Sequence, residues 1–394
     1  MTPQEILAEA KAYSEDMIAI RREIHAHPEL GGEEWNTQSI ILRELKAMGV
    51  EAAPCADTGV LGIIRGGKEG KTIGLRADID ALPIVEDSGV EFQSQNEGVM
   101  HACGHDLHTA SLLGAAKILS AHKDELCGNV KLFFQPAEES DGGAQRMVDA
   151  GCLENPHVDA VFGGHNGTDT VAGDYSLKYG QVYAASNPFT VTIHGKGCHG
   201  AYPGSGIDAI AIGCQIVTAL QTLVSRRIYA TDSAVVTVGA FHAGTAGNII
   251  CEEAHLKGII RTLGPEMRAK MISMFRETVC GIAETMGGSA EVEIIEGYPG
   301  VVNTDDMTEL TYEAMCKLVG KDHVHIYREP NMGTEDFGAF FMPDRPGCYC
   351  DFGFGDGRKL CRFPAHGPHY RANEEGLAYA AALHTQVVFD FLNR

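Results

Sequence analysis

The sequence predicts an α/β protein of two domains, a mixed and mostly parallel sheet flanked by helices with a smaller α+β unit inserted into it. Three observations predict this. Strands and helices alternate along residues 3–165, a β-α-β-β-α-β order follows from about Asn187, and the first alternation resumes after Pro299. The chain has 394 residues, 44% of them hydrophobic and 21% charged, which is enough for more than one core.

Helical periodicity over residues 3–25 and 34–48 opens the chain. Short β-rich runs follow, "GVLGIIRG" and "KTIGLRAD", and then helix-like "HTASLLGAAKILSAHKD". "NVKLFFQP" and "HVDAVFGGH" read as strands that end where polar residues cluster, with helical "GGAQRMVDAG" between them. Such alternation implies parallel strands covered on both faces. Ligands of these sheets bind beyond the carboxyl ends of the strands, where Asp78, Glu138, Glu139 and His165 all fall in this reading.

The inserted segment reads "PFTVTIHGKG" (strand), "GIDAIAIGCQIVTALQTLVSRRI" (helix), "SAVVTVGAFHAG" and "EAHLKGIIRTLG" (strands), "EMRAKMISMFRETVCGIAETMGG" (helix) and "AEVEIIEGY" (strand). This is a ferredoxin-like order, able to form a compact unit alone. The expected domains are therefore residues 1–186 and 299–394 for the larger one, and 187–298 for the insertion.

A formal charge of -22 opposes encounter with nucleic acid or an acidic membrane face. Small-molecule chemistry fits this balance better. The opening helix carries acids throughout and lacks the cationic start and apolar core of a signal peptide. No run of about 18 apolar residues is seen, so no membrane span is expected. The expected location is the cytoplasm, and the twelve cysteines then read as reduced thiols rather than a disulfide framework. Cys348, Cys350 and Cys361 lack paired C-x-x-C spacing and read as buried thiols before they read as a metal site.

Four segments carry metal-capable residues. "MHACGHDLH" offers Cys103 and His105 at the start of a helix, a thiol and an imidazole that suit zinc, manganese or iron. By itself the stretch is equally a buried thiol beside a helix cap. "QPAEES" offers Glu138 and Glu139, adjacent acids that point in different directions, so that one can hold an ion while the other works on water. Alone it is a solvated acidic loop. His165 in "GGHNG" and His366 in "PAHGPHYRANEEG" are unremarkable singly. Donors at four loops of one predicted rim make a shared site the better account.

Taken in order, "RREIHAHPELGGEE", "LRADIDALP", "MHACGHDLHTA", "FQPAEE", "GGHNG", "GKGCHGAYP", "GTAGNII", "GIIRTL", "GTEDFG" and "HGPHYRANEE" carry a resemblance over nearly the whole chain. The chain resembles the metallo-amidohydrolase and metallopeptidase superfamily of aminoacylases and glutamate carboxypeptidases, in the branch of hippurate hydrolases and indole-3-acetyl-amino-acid hydrolases. The resemblance implies a di-zinc peptidase-like fold and two divalent ions, Mn or Zn, held by Cys103, His105, Glu139, His165 and His366, with Cys103 as the bridge. It implies Glu138 as general base. Arg76 stands where the superfamily places a ligand histidine, so Asp78 is assigned only a supporting role behind the ligands. Glu335 and Asp336 in "GTEDFG" read as loop-fixing or ligand-orienting acids.

By the same resemblance the insertion is a lid and dimerisation domain. His199 polarises the scissile carbonyl from a neighbouring subunit, while Asn248 and Arg261 hold the substrate's carboxylate. A homodimer through that domain follows. Gly204 stands where relatives carry a histidine, a change that bears on specificity rather than on chemistry.

The expected function is metal-dependent hydrolysis of the amide bond of N-acyl-amino acids to a carboxylic acid and a free amino acid. The alternatives are a dipeptidase or metallocarboxypeptidase acting on small peptides, and a non-catalytic binding or scaffold homologue, which the presence of Glu138 and all five ligands disfavours.

Overall fold

The structure is a computed structural model that describes residues 1–140, 142–341, 345–357 and 359–394. It divides into two compact units. The first comprises Met1–Val182, Val302–Glu329 and Asp336–Arg394, and the second Tyr183–Val301 and Pro330–Glu335. The second unit thus starts and ends a few residues outside the expected 187–298 and takes in a detached six-residue piece. Backbone pairing explains the addition, because Ala184 N–H donates to the Asn331 carbonyl at 3.1 Å.

The first unit is built on an eight-stranded sheet in the order Glu51–Cys55, Gly59–Arg65, Cys127–Gln135, Lys68–Asp78, Ala160–Val171, Gly347–Gly355, Tyr175–Leu177, Val324–Ile326. Its four middle strands, from Cys127–Gln135 to Gly347–Gly355, run parallel. The helices His105–Ala121 and Gly376–Leu392 are buried on nearly all sides in this unit's apolar core. Residues such as Leu112, Leu113, Ala381 and Leu383 are fully withdrawn from water, and burying each large apolar side chain contributes about 1.5–3 kcal/mol.

Two elements of the first unit differ from expectation. The opening helix is interrupted at Tyr13, giving Pro3–Ala12 and Ser14–Ala26. Tyr13 leaves helical geometry at ψ 6, with its ring under Lys117 and its hydroxyl donating to Glu9 at 3.2 Å. The strand ending at "GGH" instead continues to Val171, because its backbone stays paired with Gly347–Gly355 beyond His165.

The second unit is a four-stranded antiparallel sheet in the order Ala234–Ala243, Glu253–Thr262, Ala185–His194, Ser289–Ile294. The helices Ala209–Arg226 and Pro265–Thr285 share its core through Ile212, Ile216, Leu220, Met271, Phe275 and Val279. Buried and half-buried residues alternate from Asn187 to His194, as expected of a sheet with one packed face. Ala209–Arg226 is, by length and composition alone, apolar enough to cross a membrane, although Gln215, Thr218, Gln221 and Thr222 interrupt its apolar residues. Its apolar residues at positions 212, 216, 220 and 223 recur at helical spacing and face this core.

Candidate active site

The parallel strands of the first unit deliver the predicted residues to one place. Lys68–Asp78 leads to Asp78 and Asp80, and Cys127–Gln135 leads to Glu138 and Glu139. His165 lies on Ala160–Val171, and the loop after Gly347–Gly355 carries His366. The helix that begins at His105 is preceded by Gly104 in left-handed geometry at φ 88. A Cβ there would lie 2.6–2.7 Å from Asn166 and the Tyr370 hydroxyl, so glycine is required for this close approach. Ala137 and His366 also have positive φ, 53 and 62, although neither is glycine. Such backbone states cost of order 1–3 kcal/mol and persist where the surroundings impose them. Both residues lie at donor positions or beside them, and His366 N–H is fixed by the Ala102 carbonyl at 2.9 Å.

Donor atoms of Cys103, His105 and His165 lie within 4.8 Å of one another. The same is true of Cys103, Glu139 and His366, and of His105, Glu138 and Glu139. Cys103 Sγ is 3.3 Å from His165 Nε2, and Glu139 Oε1 is 3.0 Å from His366 Nε2 and 3.9 Å from His105 Nε2. Cys103, His105 and Glu138 are buried, whereas the His366 side chain is half exposed.

Burial pushes the Cys103 thiol well above its ordinary value and pushes His165 down to about 3. Burial opposes charge on His105 as well, but Asp78, Cys103 and Asp80 outweigh it and raise that imidazole. For Glu139 the burial penalty is outweighed by the bond to His366 and the nearby His105, which lower its carboxyl. His366 is raised in turn by Glu139.

Behind these donors, each aspartate of "LRADID" holds one histidine of the following helix. Asp78 Oδ1 is 2.5 Å from His108 Nδ1, and Asp80 Oδ1 is 3.0 Å from His105 Nδ1. His108 Nε2 accepts from Asn166 N–H at 2.8 Å, so His108 Nδ1 carries the proton that Asp78 accepts. Asp78 also accepts from Arg76, and its Oδ2 sits 3.6 Å from His105 Nε2, so Asp78, His105 and His108 form a further group of donor atoms within 4.8 Å of one another. Sequence reasoning reads His108 as structural and gives Asp80 no role of its own. The signal that could have found Asp80 is its spacing two residues beyond Asp78 at a strand end. Asp336 fixes loops as expected, accepting from Arg76, Gln135 and Ala144 N–H.

The remaining predicted residues belong to the second unit. Ile249 pairs with His199, Gly200 N–H donates to the Asn248 carbonyl at 2.8 Å, and so His199 and Asn248 are neighbours. The exposed His199 ring accepts from Ala201 N–H at Nδ1, which leaves Nε2 as the N–H-bearing nitrogen. Arg261, on Glu253–Thr262, is half buried, and its Nη1 makes no hydrogen bond. All twelve cysteines are free thiols. Among the described residues, no three-donor cluster includes Cys348, Cys350 or Cys361.

A parallel sheet with thiol, imidazole and carboxylate donors gathered at its strand ends defines an α/β protein with a candidate metal centre. Residues 74–390 match peptidase family M20/M25/M40, and the chain belongs to that family. It is 37% identical to thermostable carboxypeptidase 1 of Saccharolobus solfataricus over 96% of both chains. It is 42% identical to the N-acyl-L-amino acid amidohydrolase of Geobacillus stearothermophilus, over 78% of this chain and 83% of that one. A dinuclear metal-binding M20 peptidase from Bacillus subtilis superposes with a TM-score of 0.84 at 34% identity, over 97% of this chain and 99% of that one.

Proposed function

We propose that this protein is a metal-dependent amidohydrolase that cleaves N-acyl-amino acids to a carboxylic acid and a free amino acid, using two divalent ions, Mn or Zn. One observation carries the reading: Cys103 belongs to two three-donor groups at once, one with His105 and His165 and one with Glu139 and His366. Two ions held by these two groups would draw on Cys103 in common. The donor chemistry fits. Thiol and imidazole favour zinc-type ions over calcium, the carboxylates also admit manganese, and buried His105 Nε2 makes no hydrogen bond that an ion would have to displace.

When bound, such ions supply Lewis-acid polarisation of the amide carbonyl and ease deprotonation of water. The chain's own contribution is proton transfer. Glu138 takes a proton from the attacking water as its oxygen bonds to the carbonyl carbon. It returns that proton to the amide nitrogen as the C–N bond breaks, leaving an amine and a carboxylic acid whose remaining proton then passes to the amine or to solvent. Cys103, His105, Glu139, His165 and His366 would hold the ions. His199 Nε2–H stabilises the developing oxyanion, and Asn248 with Arg261 receives the substrate's α-carboxylate.

The curated relatives named as amidohydrolase and deacetylases of N-acyl amino acids support the acyl substrate. A second reading, carboxypeptidase action on small peptides with the same machinery, is supported by the relative named thermostable carboxypeptidase. The proposal includes a cytoplasmic homodimer associating through the second unit, with neither nucleic acid nor membrane as partner. The test is mass-spectrometric detection of amino-acid release from mixed N-acyl amino acids and dipeptides by Mn- and Zn-loaded protein, beside Glu138→Ala. Release that needs both metal and Glu138 is expected, and the substrates consumed separate the two readings. Release by the metal-stripped or Glu138→Ala protein at the wild-type rate would overturn the mechanism.

A further inference from the structure

Asp80 reaches in two directions from one carboxylate. Oδ1 lies 3.0 Å from His105 Nδ1, and Oδ2 accepts from Glu139 N–H at 2.9 Å. The residue is 1% exposed, and its segment is pinned on both sides. Ile79 N–H donates to the Gln135 carbonyl at 3.0 Å, Ala81 N–H to the Glu29 carbonyl at 2.8 Å, and Leu82 pairs with Met100. His105 and Glu139 come from different elements, a helix start and the loop after Cys127–Gln135. One buried carboxylate therefore ties these two elements together. We infer that Asp80 is the positioning residue that registers these two donors against each other, fixing His105 as the Nδ1–H tautomer with Nε2 free and Glu139 at its backbone.

The inference rests on the proposed ion-binding role of His105 and Glu139 and goes beyond it by assigning the group that holds them in register. A hydrogen-bonded carboxylate behind a ligand histidine both sets its tautomer and raises its basicity, and loss of such a partner costs about 10–100-fold in ion affinity. Asparagine at this position offers one acceptor oxygen and an NH2 where two donors point inward, so Asp80→Asn breaks one arm. Asp80→Ala breaks both.

The experiment is Co2+ titration of metal-stripped wild type, Asp80→Asn and Asp80→Ala, followed by visible d–d absorption, with thermal unfolding of each apo protein alongside. Affinity is expected to fall about 10–100-fold in Asp80→Asn and further in Asp80→Ala, with the absorption band altered. Apo unfolding of Asp80→Asn should stay close to wild type. Excess metal should restore much of the Asp80→Asn activity through kcat with little change in KM.

Wild-type affinity and an unchanged spectrum in both variants would overturn the positioning role. So would an affinity loss matched by an equal loss of apo stability, since that is a merely structural contribution. If the wild type itself bound no Co2+, the proposed metal centre would fail first, and that outcome is distinct from either.

Discussion

Arg76 Nη1 and Asp78 Oδ2 lie 2.6 Å apart, with both side chains almost wholly withdrawn from water. Arg76 also donates to Gln135 at 2.8 Å and to Asp336 at 3.0 Å, and Asp336 in turn fixes Ala144 N–H. The guanidinium is therefore the cation on which two buried carboxylates and a buried amide converge. Its planar fork supplies several fixed donors, which a lysine ammonium cannot reproduce. Replacing Arg76 with methionine strands Asp78 and Asp336 as buried charges. Breaking such a pair costs about 3–5 kcal/mol. Urea unfolding of the apo protein should show a loss of that size, and a loss under about 1 kcal/mol would show the network to be dispensable.

Glu138 is buried beside His105 and Glu139. Glu138→Gln keeps its shape and removes only its capacity to accept a proton. Turnover should fall at least 100-fold, about the scale of general-base removal, while metal content stays at the wild-type level. Paired measurements of kcat and bound metal check this. Loss of metal and activity together would make Glu138 a ligand instead.

Much of this site can be read from the sequence because each donor sits at the end of a periodic segment. A strand that turns polar at Gln135 or Asp78 announces where its chain leaves the sheet, and both acids beyond Gln135 arrive as expected. What could not be read depends on contacts beyond the reach of local spacing. Asp80 is 25 residues from His105 and 59 from Glu139, and locally it is one more strand-end acid. The neighbours of His108 in sequence say nothing of Asp78, 30 residues earlier, or Asn166, 58 residues later. The run past His165 to Val171 is mostly polar, and only pairing with Gly347–Gly355 makes it a strand. The unusual φ of Ala137 and His366 is likewise imposed from outside, since an L side chain disfavours it.

Cys103 is common to two donor groups, so its replacement should affect both ions. Cys103→Ser exchanges a soft donor for a weak one and should lower retained metal from two ions per chain toward one, read by elemental analysis after gel filtration. Inactivation by peroxide should slow in the same variant, because the oxidisable ligand is gone. Two tightly retained ions in the serine variant would remove Cys103 from the bridge.

His122 links Glu9 at 2.9 Å and Glu125 at 3.0 Å on the surface of the first unit. Partial burial disfavours its charge, but the bonds to Glu125 and Glu9 outweigh this and raise its pKa. A raised folded-state value means the stabilisation is fully present below the unfolded value of about 6.5 and is lost as pH rises through the folded one. Solvent screening keeps the effect to about 0.5 kcal/mol or less. His122→Asn should therefore lie below wild type in melting temperature at pH 5.5 and converge with it by pH 9. A gap that widens with pH would reverse the sign of this linkage.

Ala234–Ala243 is an edge strand of the second unit's sheet, paired there with Glu253–Thr262 alone. It exposes Val235 and Phe241, and no Asp, Glu, Lys or Arg lies on it. Unpaired N–H and C=O groups on a strand with neither charge nor proline are a template for pairing with another copy. The helix Ala209–Arg226 has no charged residue before its last position, so its exposed side chains add no repulsion. If two copies join edge to edge, light scattering should give twice the 42.2 kDa chain mass at micromolar concentration. Val235→Lys places a charge on that pairing edge and should return the mass to one chain without lowering the melting temperature of the isolated protein. A wild type that stays at one chain mass across the concentration range would rule out this edge as a dimer contact. A dimer that survives Val235→Lys would place the contact elsewhere.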